Sequence, residues 1–193
     1  ATAGFNLDYV NPNGNWVVLD VYDDDFFSSN FSPENEEDFS KESIKPNIKL
    51  SPRLAISHPI TEVSKLYFNY GHYRQMPIAQ DLYRIRRGNG NEVINMGDPS
   101  LPLAKTISYE LGYDHAFNNL FLIHLSAYYK DISDQQDNTQ YISANSKVIY
   151  YQLTANSYED IRGFELDLSK VQGDWITGNI NYEYRVNTSG YYN

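Results

Sequence analysis

The sequence predicts an all-β fold: the wall of a transmembrane, antiparallel, up-and-down β-barrel with long extracellular loops. Three observations predict it: long two-faced strand segments, connections that alternate long and short, and aromatic residues at the ends of the apolar rows. The clearest segment is Thr106 to Phe117, where Ile107, Tyr109, Leu111, Tyr113 and Phe117 alternate with Thr106, Ser108, Glu110, Gly112 and Asp114. Successive side chains of a strand point to opposite faces, so this is one two-faced strand about 12 residues long. Strands of globular proteins average about 5–6 residues.

The other segments follow in order. Ala3, Phe5, Leu7 and Tyr9 share a face opposite Asn6 and Asp8. Leu50 to His58 sets Leu54 and Ile56 against Arg53, Ala55 and Ser57, and Lys65 to Arg74 sets Leu66, Phe68 and Tyr70 against Tyr67, Asn69 and Gly71. After the Thr106 strand, Leu120 to Asp131 places Phe121, Ile123, Leu125, Ala127 and Tyr129 opposite His124, Ser126, Tyr128 and Lys130. Arg162 to Lys170 sets Phe164, Leu166 and Leu168 against Gly163, Glu165 and Asp167. Trp175 to Val186 sets Ile176, Ile180, Tyr182 and Tyr184 against Thr177, Asn179, Asn181, Glu183 and Arg185. These make about seven wall strands, with a further short strand read over Trp16 to Tyr22.

The connections measure about 35, 7, 30, 2, 30 and 4 residues in turn, whereas compact soluble domains mostly use about 4–6. Long loops on one side and tight turns on the other suit an outer-membrane barrel. His58–Ser64, Asn118–Asn119 and Val171–Asp174 are then the periplasmic turns, and Asn11–Lys49, Gln75–Lys105 and Ile132–Ile161 the extracellular loops. Alternation by itself also fits a soluble sandwich. Strand length, one-sided loops and girdle aromatics (Tyr70, Tyr73, Tyr109, Phe117, Phe121, Tyr129, Tyr182, Tyr184) favour the membrane. So does charge placement. A charge on the lipid face at mid-bilayer costs up to about 2–4 kcal/mol, and Arg53, Glu110, Glu165, Asp167 and Glu183 all fall on the polar row.

Composition narrows the function classes. With 15 Lys+Arg against 25 Asp+Glu and a net charge of -10, the chain lacks the basic surface a nucleic-acid partner requires. The absence of cysteine excludes disulfides, thiolate metal sites and Cys nucleophiles. Tyrosine stands out, with 18 residues that have apolar bodies and polar tips suited to interfaces. Mean hydropathy is -0.57 and no run is long enough for a membrane helix, a test blind to barrel strands. With no signal peptide and an opening on Ala1, residues 1–193 are expected to be an internal piece of a longer protein.

Four stretches, Phe68–Pro77 (FNYGHYRQMP), Ser108–Ile132 (SYELGYDHAFNNLFLIHLSAYYKDI), Ile161–Lys170 (IRGFELDLSK) and Asn179–Arg185 (NINYEYR), carry a family resemblance. Together they resemble the C-terminal half of the barrel in TonB-dependent outer-membrane receptors, in the branch with an N-terminal carboxypeptidase-regulatory-like domain. The resemblance implies a barrel of about 22 strands with a plug in its lumen, energised through the TonB complex, in the bacterial outer membrane. The chain would be about a third of that wall, lacking the plug, the TonB-contacting box and the closing C-terminal strand. Partners implied are outer-membrane lipid and lipopolysaccharide, the receptor's own plug, TonB, and a surface lipoprotein or other envelope subunits. Where relatives read something like GNPNLKPEKT, Gly97–Thr106 reads GDPSLPLAKT and departs at Pro102, Leu103 and Ala104.

Candidate sites follow. Arg74, Arg84, Arg86 and Arg87 form a basic patch in an acidic chain, suited either to capturing an anionic ligand or to pairing with lipopolysaccharide phosphates or plug carboxylates. Arg53, Glu110, Asp114, Glu165, Asp167, Glu183 and Arg185 are read as lumen residues facing a plug rather than as a hydrolase dyad. The acids Asp23–Asp25, Glu34 and Glu36–Asp38 lack calcium-loop spacing, and His58, His72, His115 and His124 lack metal-ligand spacing, so neither a metal nor a cofactor is expected. Gly88 and Gly90 in RGNGN lack the strand–helix context of a nucleotide site. The expected function is passive: wall and loops of a transporter for a scarce nutrient such as a ferric siderophore, peptide or oligosaccharide. Two alternatives stay open: a secreted β-sandwich binding carbohydrate through its tyrosines, and a structural barrel subunit of an envelope complex.

Overall fold

The computed structural model describes residues 1–170, 172–173 and 175–192, the side chain of Asn35 excepted. The wall consists of β1 (Thr2–Val10), β4 (Asn47–Thr61), β5 (Ser64–Gln75), β8 (Ala104–Phe117), β9 (Phe121–Ile142), β10 (Ile149–Lys170) and β11 (Gly178–Tyr191), each antiparallel to the next. It curls into a half-barrel. The long connections carry β2 (Asn15–Val17), α1 (Asp24–Phe27), a 3-10 turn over Pro33–Asp38, β3 (Lys41–Ser43), α2 (Ala79–Tyr83), β6 (Ile85–Arg87) and β7 (Val93–Met96). No described helix is long and apolar enough to cross a membrane, which has no bearing on a β-barrel.

Register makes the parity of each strand continuous across the sheet. Glu110 pairs with Asn69 on one side and Tyr128 on the other, and Ser126 continues to Glu165 and then Glu183. One residue away, Leu111 pairs with Phe68 and Ala127, and Ala127 leads to Phe164 and Tyr184. Burial is inverted relative to a soluble sheet. Ser51 and Ser126 on the polar face are 1% and 3% exposed, whereas Leu111 and Phe5 on the apolar face are 49% and 75% exposed. The polar face is the crowded concave side, and the apolar face is the convex side, open to lipid.

Local chemistry sets the turns. Asn118 and Asn119 both take positive φ, 51° and 53°, the signature of a type I′ hairpin turn, which Asn tolerates better than other side-chain-bearing residues. The Leu120 N–H closes it on the Phe117 carbonyl at 3.1 Å, so β9 begins one residue later than the alternation predicts. The expected His58–Ser64 turn contracts to Glu62–Val63, with Thr61 Oγ1 hydrogen-bonded to Ser64 Oγ at 2.7 Å. The expected Val171–Asp174 turn includes residues 171 and 174, which lie outside the described residues. β11 starts at Gly178, beyond Trp175–Thr177, and continues past Val186 to Tyr191.

The largest departure concerns Ile132–Ile161, expected as a loop. β9 and β10 are each 22 residues long and continue as a hairpin through this stretch, leaving only Ser143–Val148 as the turn. About 9–11 tilted residues cross a bilayer, so the rest rises above it. There both faces meet polar surroundings, and Asp131, Ser133, Gln135 and Asp137 no longer contrast with their neighbours. A bulge marks the change, with Asp134 at φ 56° and register shifts between Thr154, Ser157 and Glu159.

The other loops are equally ordered. β7 pairs with β10 in parallel through Asn95–Met96 and Tyr151–Gln152, and β6 pairs with β7, so two short loop strands join the seven expected wall strands in one nine-stranded sheet. The strand read at Trp16–Tyr22 is only Asn15–Val17, paired with β3. These pieces and the β9–β10 tip share a hydrophobic core of Phe26, Phe27, Phe31, Val93, Met96, Val148 and Tyr150, flanked by Trp16, Leu19, Phe39 and Tyr141. The three long connections thus fold together into one extracellular cap.

Candidate functional site

Two surfaces can contact solutes or partners: the concave wall and the cap. On the wall, register places Arg53, Glu110, Asp114, Glu165, Asp167, Glu183 and Arg185 on one and the same face. Tyr67 Oη donates to Glu110 Oε1 at 2.8 Å, and Asn69 Nδ2 donates to Glu110 Oε2 at 3.4 Å. Lys65 Nζ lies 3.0 Å from Asp114 Oδ2, and the other Asp114 oxygen meets His124 Nδ1 at 2.5 Å. Tyr128 Oη donates to Glu183 Oε1 at 2.6 Å. Glu165 faces Glu183 directly across β10 and β11, a like-charge pair that destabilises a sheet unless a cation approaches.

Tyrosines shape this face. The ring of Tyr67 lies over Gly112, where an added Cβ would sit 2.0 Å from a ring carbon, and Tyr128 covers Gly163 in the same way. The glycine leaves room for the cross-strand ring, which shields the backbone while its hydroxyl reaches a carboxylate. Tyr73, expected in the girdle, is instead on the concave face, with the Arg53 guanidinium 4.7 Å from its ring centroid. On the convex face Tyr70, Tyr109 and Tyr129 do form a line, with ring centroids 5.1 and 6.3 Å apart.

The four arginines are not one patch. Arg87 is built into the cap: Nη1 donates to the Phe26 carbonyl at 2.8 Å and the Asn91 carbonyl at 2.7 Å, and the guanidinium sits 3.4 Å from the Phe31 ring centroid. Burial lowers its pKa from the ordinary value, with Glu36 opposing. Arg74 stands on β5 at the convex parity, cross-strand from Lys105. Only Arg84 and Arg86 share a cleft, of about 290 Å³, with Gln80, Asp81, Asn95, Asn138 and Tyr151. Arg86 Nε and Nη2 both donate to Asn95 Oδ1, at 2.8 and 2.6 Å, while Arg84 Nη1 donates to Gln80 Oε1 at 3.3 Å.

A larger, open cleft of about 850 Å³ lies between the cap and the upper wall, lined among others by Trp16, Lys45, Lys49, Asp98, Tyr150 and Gln152. Its size is that of a small-molecule site. Sequence reading missed it, because its walls come from three connections that share no motif. Tyr150 organises one side: it stacks on Phe27 at 4.3 Å and Tyr141 at 5.0 Å, and its hydroxyl donates to the Val21 carbonyl at 3.0 Å. Burial raises the pKa of that hydroxyl, which stays a neutral donor. The Gly97–Thr106 segment forms a turn, with the Ser100 N–H and hydroxyl on Asp98 Oδ1 at 2.8 and 2.5 Å. Its departures bury apolar surface, Leu103 being 4% exposed.

The acidic loop is structural as well. Asp23 Oδ1 caps α1 by accepting from the Phe26 N–H at 2.9 Å, and Asp24 pairs with Lys147 at 3.7 Å. Gly88 and Gly90 belong to the β6–β7 hairpin turn, where the Gly88 N–H donates to the Glu92 carbonyl at 2.8 Å. Among the described residues no group of three or more His, Asp or Glu could hold a metal ion.

The family described as TonB dependent receptor-like, beta-barrel, matches residues 3–193. The chain belongs to this family. It is therefore the barrel part of an outer-membrane receptor family. Solved structures show the same fold at low identity. The outer membrane transporter YddB from Escherichia coli is 15% identical, with a TM-score of 0.63 over 74% of this chain and 20% of that one. The hemophore receptor HasR of Serratia marcescens, solved with its hemophore HasA and heme, is 14% identical, with a TM-score of 0.61 over 95% of this chain and 29% of that one. The ferric enterobactin receptor PfeA from Pseudomonas aeruginosa, solved with enterobactin, is 18% identical, with a TM-score of 0.59 over 72% of this chain and 22% of that one. The chain thus spans about a fifth to under a third of these structures. No curated protein matches it.

Proposed function

We propose that this chain forms wall and extracellular mouth of a TonB-dependent transporter that takes up a scarce nutrient, without catalysing a reaction. The observation that carries this reading is the division of labour along one sheet. Its membrane-level part is polar within and apolar without, and its upper part is gathered with two long loops into a cap that lines an open cleft of about 850 Å³. The cap receives the cargo. The Arg84–Arg86 cleft, with its amides, supplies donors for an anionic or hydroxyl-rich ligand such as a ferric siderophore, a peptide terminus or an oligosaccharide. Family members solved with enterobactin, or with a hemophore and heme, are consistent with cargo of this size range.

On the concave face, Arg53, Glu110, Asp114, Glu165, Asp167, Glu183 and Arg185 contact the plug, whose cations relieve the facing Glu165–Glu183 pair. TonB acts on that plug from the periplasm, outside this chain. Small solutes released from the purified full-length receptor are identified by mass spectrometry and then offered, labelled, to cells with and without TonB. Accumulation that requires both receptor and TonB is expected, and an Arg84→Gln, Arg86→Gln variant should lower ligand affinity. Accumulation indifferent to TonB would overturn energised transport and favour a structural barrel subunit.

A further inference from the structure

The open cleft between the cap and the upper wall holds charges of both signs that no partner in the chain neutralises. The β2–β3 ribbon sets its length. At one end the Val18 N–H bonds to the Ser40 carbonyl at 2.9 Å, and at the other the Ile44 N–H bonds to the Gly14 carbonyl at 3.0 Å. Four strand steps, about 13 Å, separate those ends. Asp20 follows the first end in the chain, Lys45 and Lys49 follow the second, and all three line the cleft. Among the described residues none of the three makes an ion pair. Asp8, cross-strand from Lys49, instead accepts from Asn6 Nδ2 at 2.9 Å. Asp98, also on the lining, already accepts from Ser100.

Backbone groups are free along the same path. β2 and β3 pair only with each other, so each keeps an unpaired edge. Beyond the ribbon, the N–H groups of Leu19, Asp20, Val21 and Lys45 find no backbone acceptor among the described residues. Aliphatic surface is offered by Val18 and Val21, each 48% exposed, above buried Phe27, Met96 and Tyr150. Phe27 and Tyr150 stack on each other and are 4% and 3% exposed, which leaves them no open face for a sugar ring. The lining acids Asp20, Glu42 and Asp98 outnumber Lys45 and Lys49, which disfavours a polyanionic iron chelate.

We infer that this cleft binds a linear oligopeptide of about four to six residues with aliphatic side chains, laid along the β2–β3 ribbon with its ammonium end at Asp20 and its carboxylate end at Lys45 and Lys49. The site rests on the reading of this chain as part of an uptake receptor and narrows the cargo to a peptide. Main-chain hydrogen bonds to a free ribbon edge supply affinity, and the aliphatic surface sorts side chains. The two charged ends fix the direction and length of the bound chain.

A pool of random pentapeptides offered to the purified full-length receptor in detergent tests this, with the bound fraction sequenced by mass spectrometry. Parallel pools carry an acetylated N-terminus or an amidated C-terminus, and maltopentaose and a ferric catecholate are offered separately. Wild type should enrich pentapeptides rich in Val, Ile and Leu. It should retain each blocked pool about tenfold less, the worth of one charge-assisted contact. A Lys45→Gln, Lys49→Gln variant should lose the preference for a free carboxylate and keep that for a free ammonium, and Asp20→Asn should do the reverse. No enrichment, equal retention of free and blocked pools, or loss of both preferences in each variant would overturn the site. So would tighter retention of maltopentaose or the ferric catecholate than of the peptides. If a variant does not fold, the free and blocked pools on wild type decide the same question. Uptake by cells separates the two readings. A receptor that retains peptides but does not carry them with TonB overturns transport alone, and TonB-dependent accumulation of a non-peptide solute only overturns the peptide site alone.

Discussion

The wall and the cap of this molecule treat hydrophobic residues in opposite ways. In the cap, Phe26, Val93 and Val148 are 1%, 0% and 1% exposed and pack against one another as in a soluble protein. In the wall, Phe5, Leu50, Leu111, Ile180 and Tyr182 form an exposed band, and the crowded side holds serines, glycines, carboxylates and tyrosine hydroxyls. Both arrangements remove apolar surface from water. The cap does so with its own side chains, at about 25 cal/mol per Å² buried, and the wall does so with lipid. The location of an apolar residue in this chain is therefore read from its strand parity and its height relative to the bilayer.

Breaking the cap should have the largest effect. Phe26→Ala removes the ring that Phe27, Phe31, Phe39 and the Arg87 guanidinium all contact, and should destabilise the cap by about 3–5 kcal/mol. Protease treatment of intact cells should then cut the loops faster while the barrel keeps its heat-modifiable migration. Failure of both together would show that the two regions are one cooperative unit. Leu111→Arg puts a charge in the exposed band and should weaken the barrel in lipid by about 2–4 kcal/mol, read from the denaturant midpoint in vesicles. Ile149→Arg, at an equally exposed position on the cap hairpin, should stay within about 0.5 kcal/mol. Equal costs would erase the distinction between the two surfaces.

Gly112→Ala sharpens the comparison from the concave side. The new methyl meets the Tyr67 ring, which must swing away from Glu110, at an expected cost of about 1–3 kcal/mol in the same vesicle assay. The smallest effect concerns Asp137, above the membrane, whose carboxylate accepts from Tyr191 Oη at 2.6 Å and from the Asn138 N–H at 2.7 Å. The Tyr191 bond, then the backbone bond, holds its pKa below the ordinary carboxylate value, with burial opposing. The contact is therefore intact at neutral pH and fades as pH falls through that lowered value. Tyr191→Phe should raise the Asp137 titration toward the ordinary value in a carboxyl NMR titration. An unshifted titration would show that the bond does not form in solution.

Strand faces were legible in the sequence wherever a membrane imposes two different solvents on one strand. Glu110 and Leu111, or Glu165 and Phe164, could each be assigned to a face because neighbours had to differ. Above the bilayer that contrast vanishes, and Ser133, Gln135 and Asp137 of β9 look like loop residues although they are hydrogen-bonded strand. The cap was hidden for another reason. Phe26, Val93 and Tyr150 lie in three connections, with no periodicity linking them. The arginines failed as a group because adjacency in sequence does not imply a shared surface: Arg86 and Arg87 point to opposite sides of β6, one to a cleft and one to a core.

By itself the sequence determined the all-β wall, the order of its strands, the face of the mid-strand charges and the side on which the loops lie. A period of two and the cost of a charge in lipid leave few other solutions. Tertiary structure alone decided how far β9 and β10 rise, how three loops meet around one open cleft, and which arginine meets a cleft and which a core. Those outcomes depend on contacts between residues distant along the chain, and no local pattern encodes such contacts.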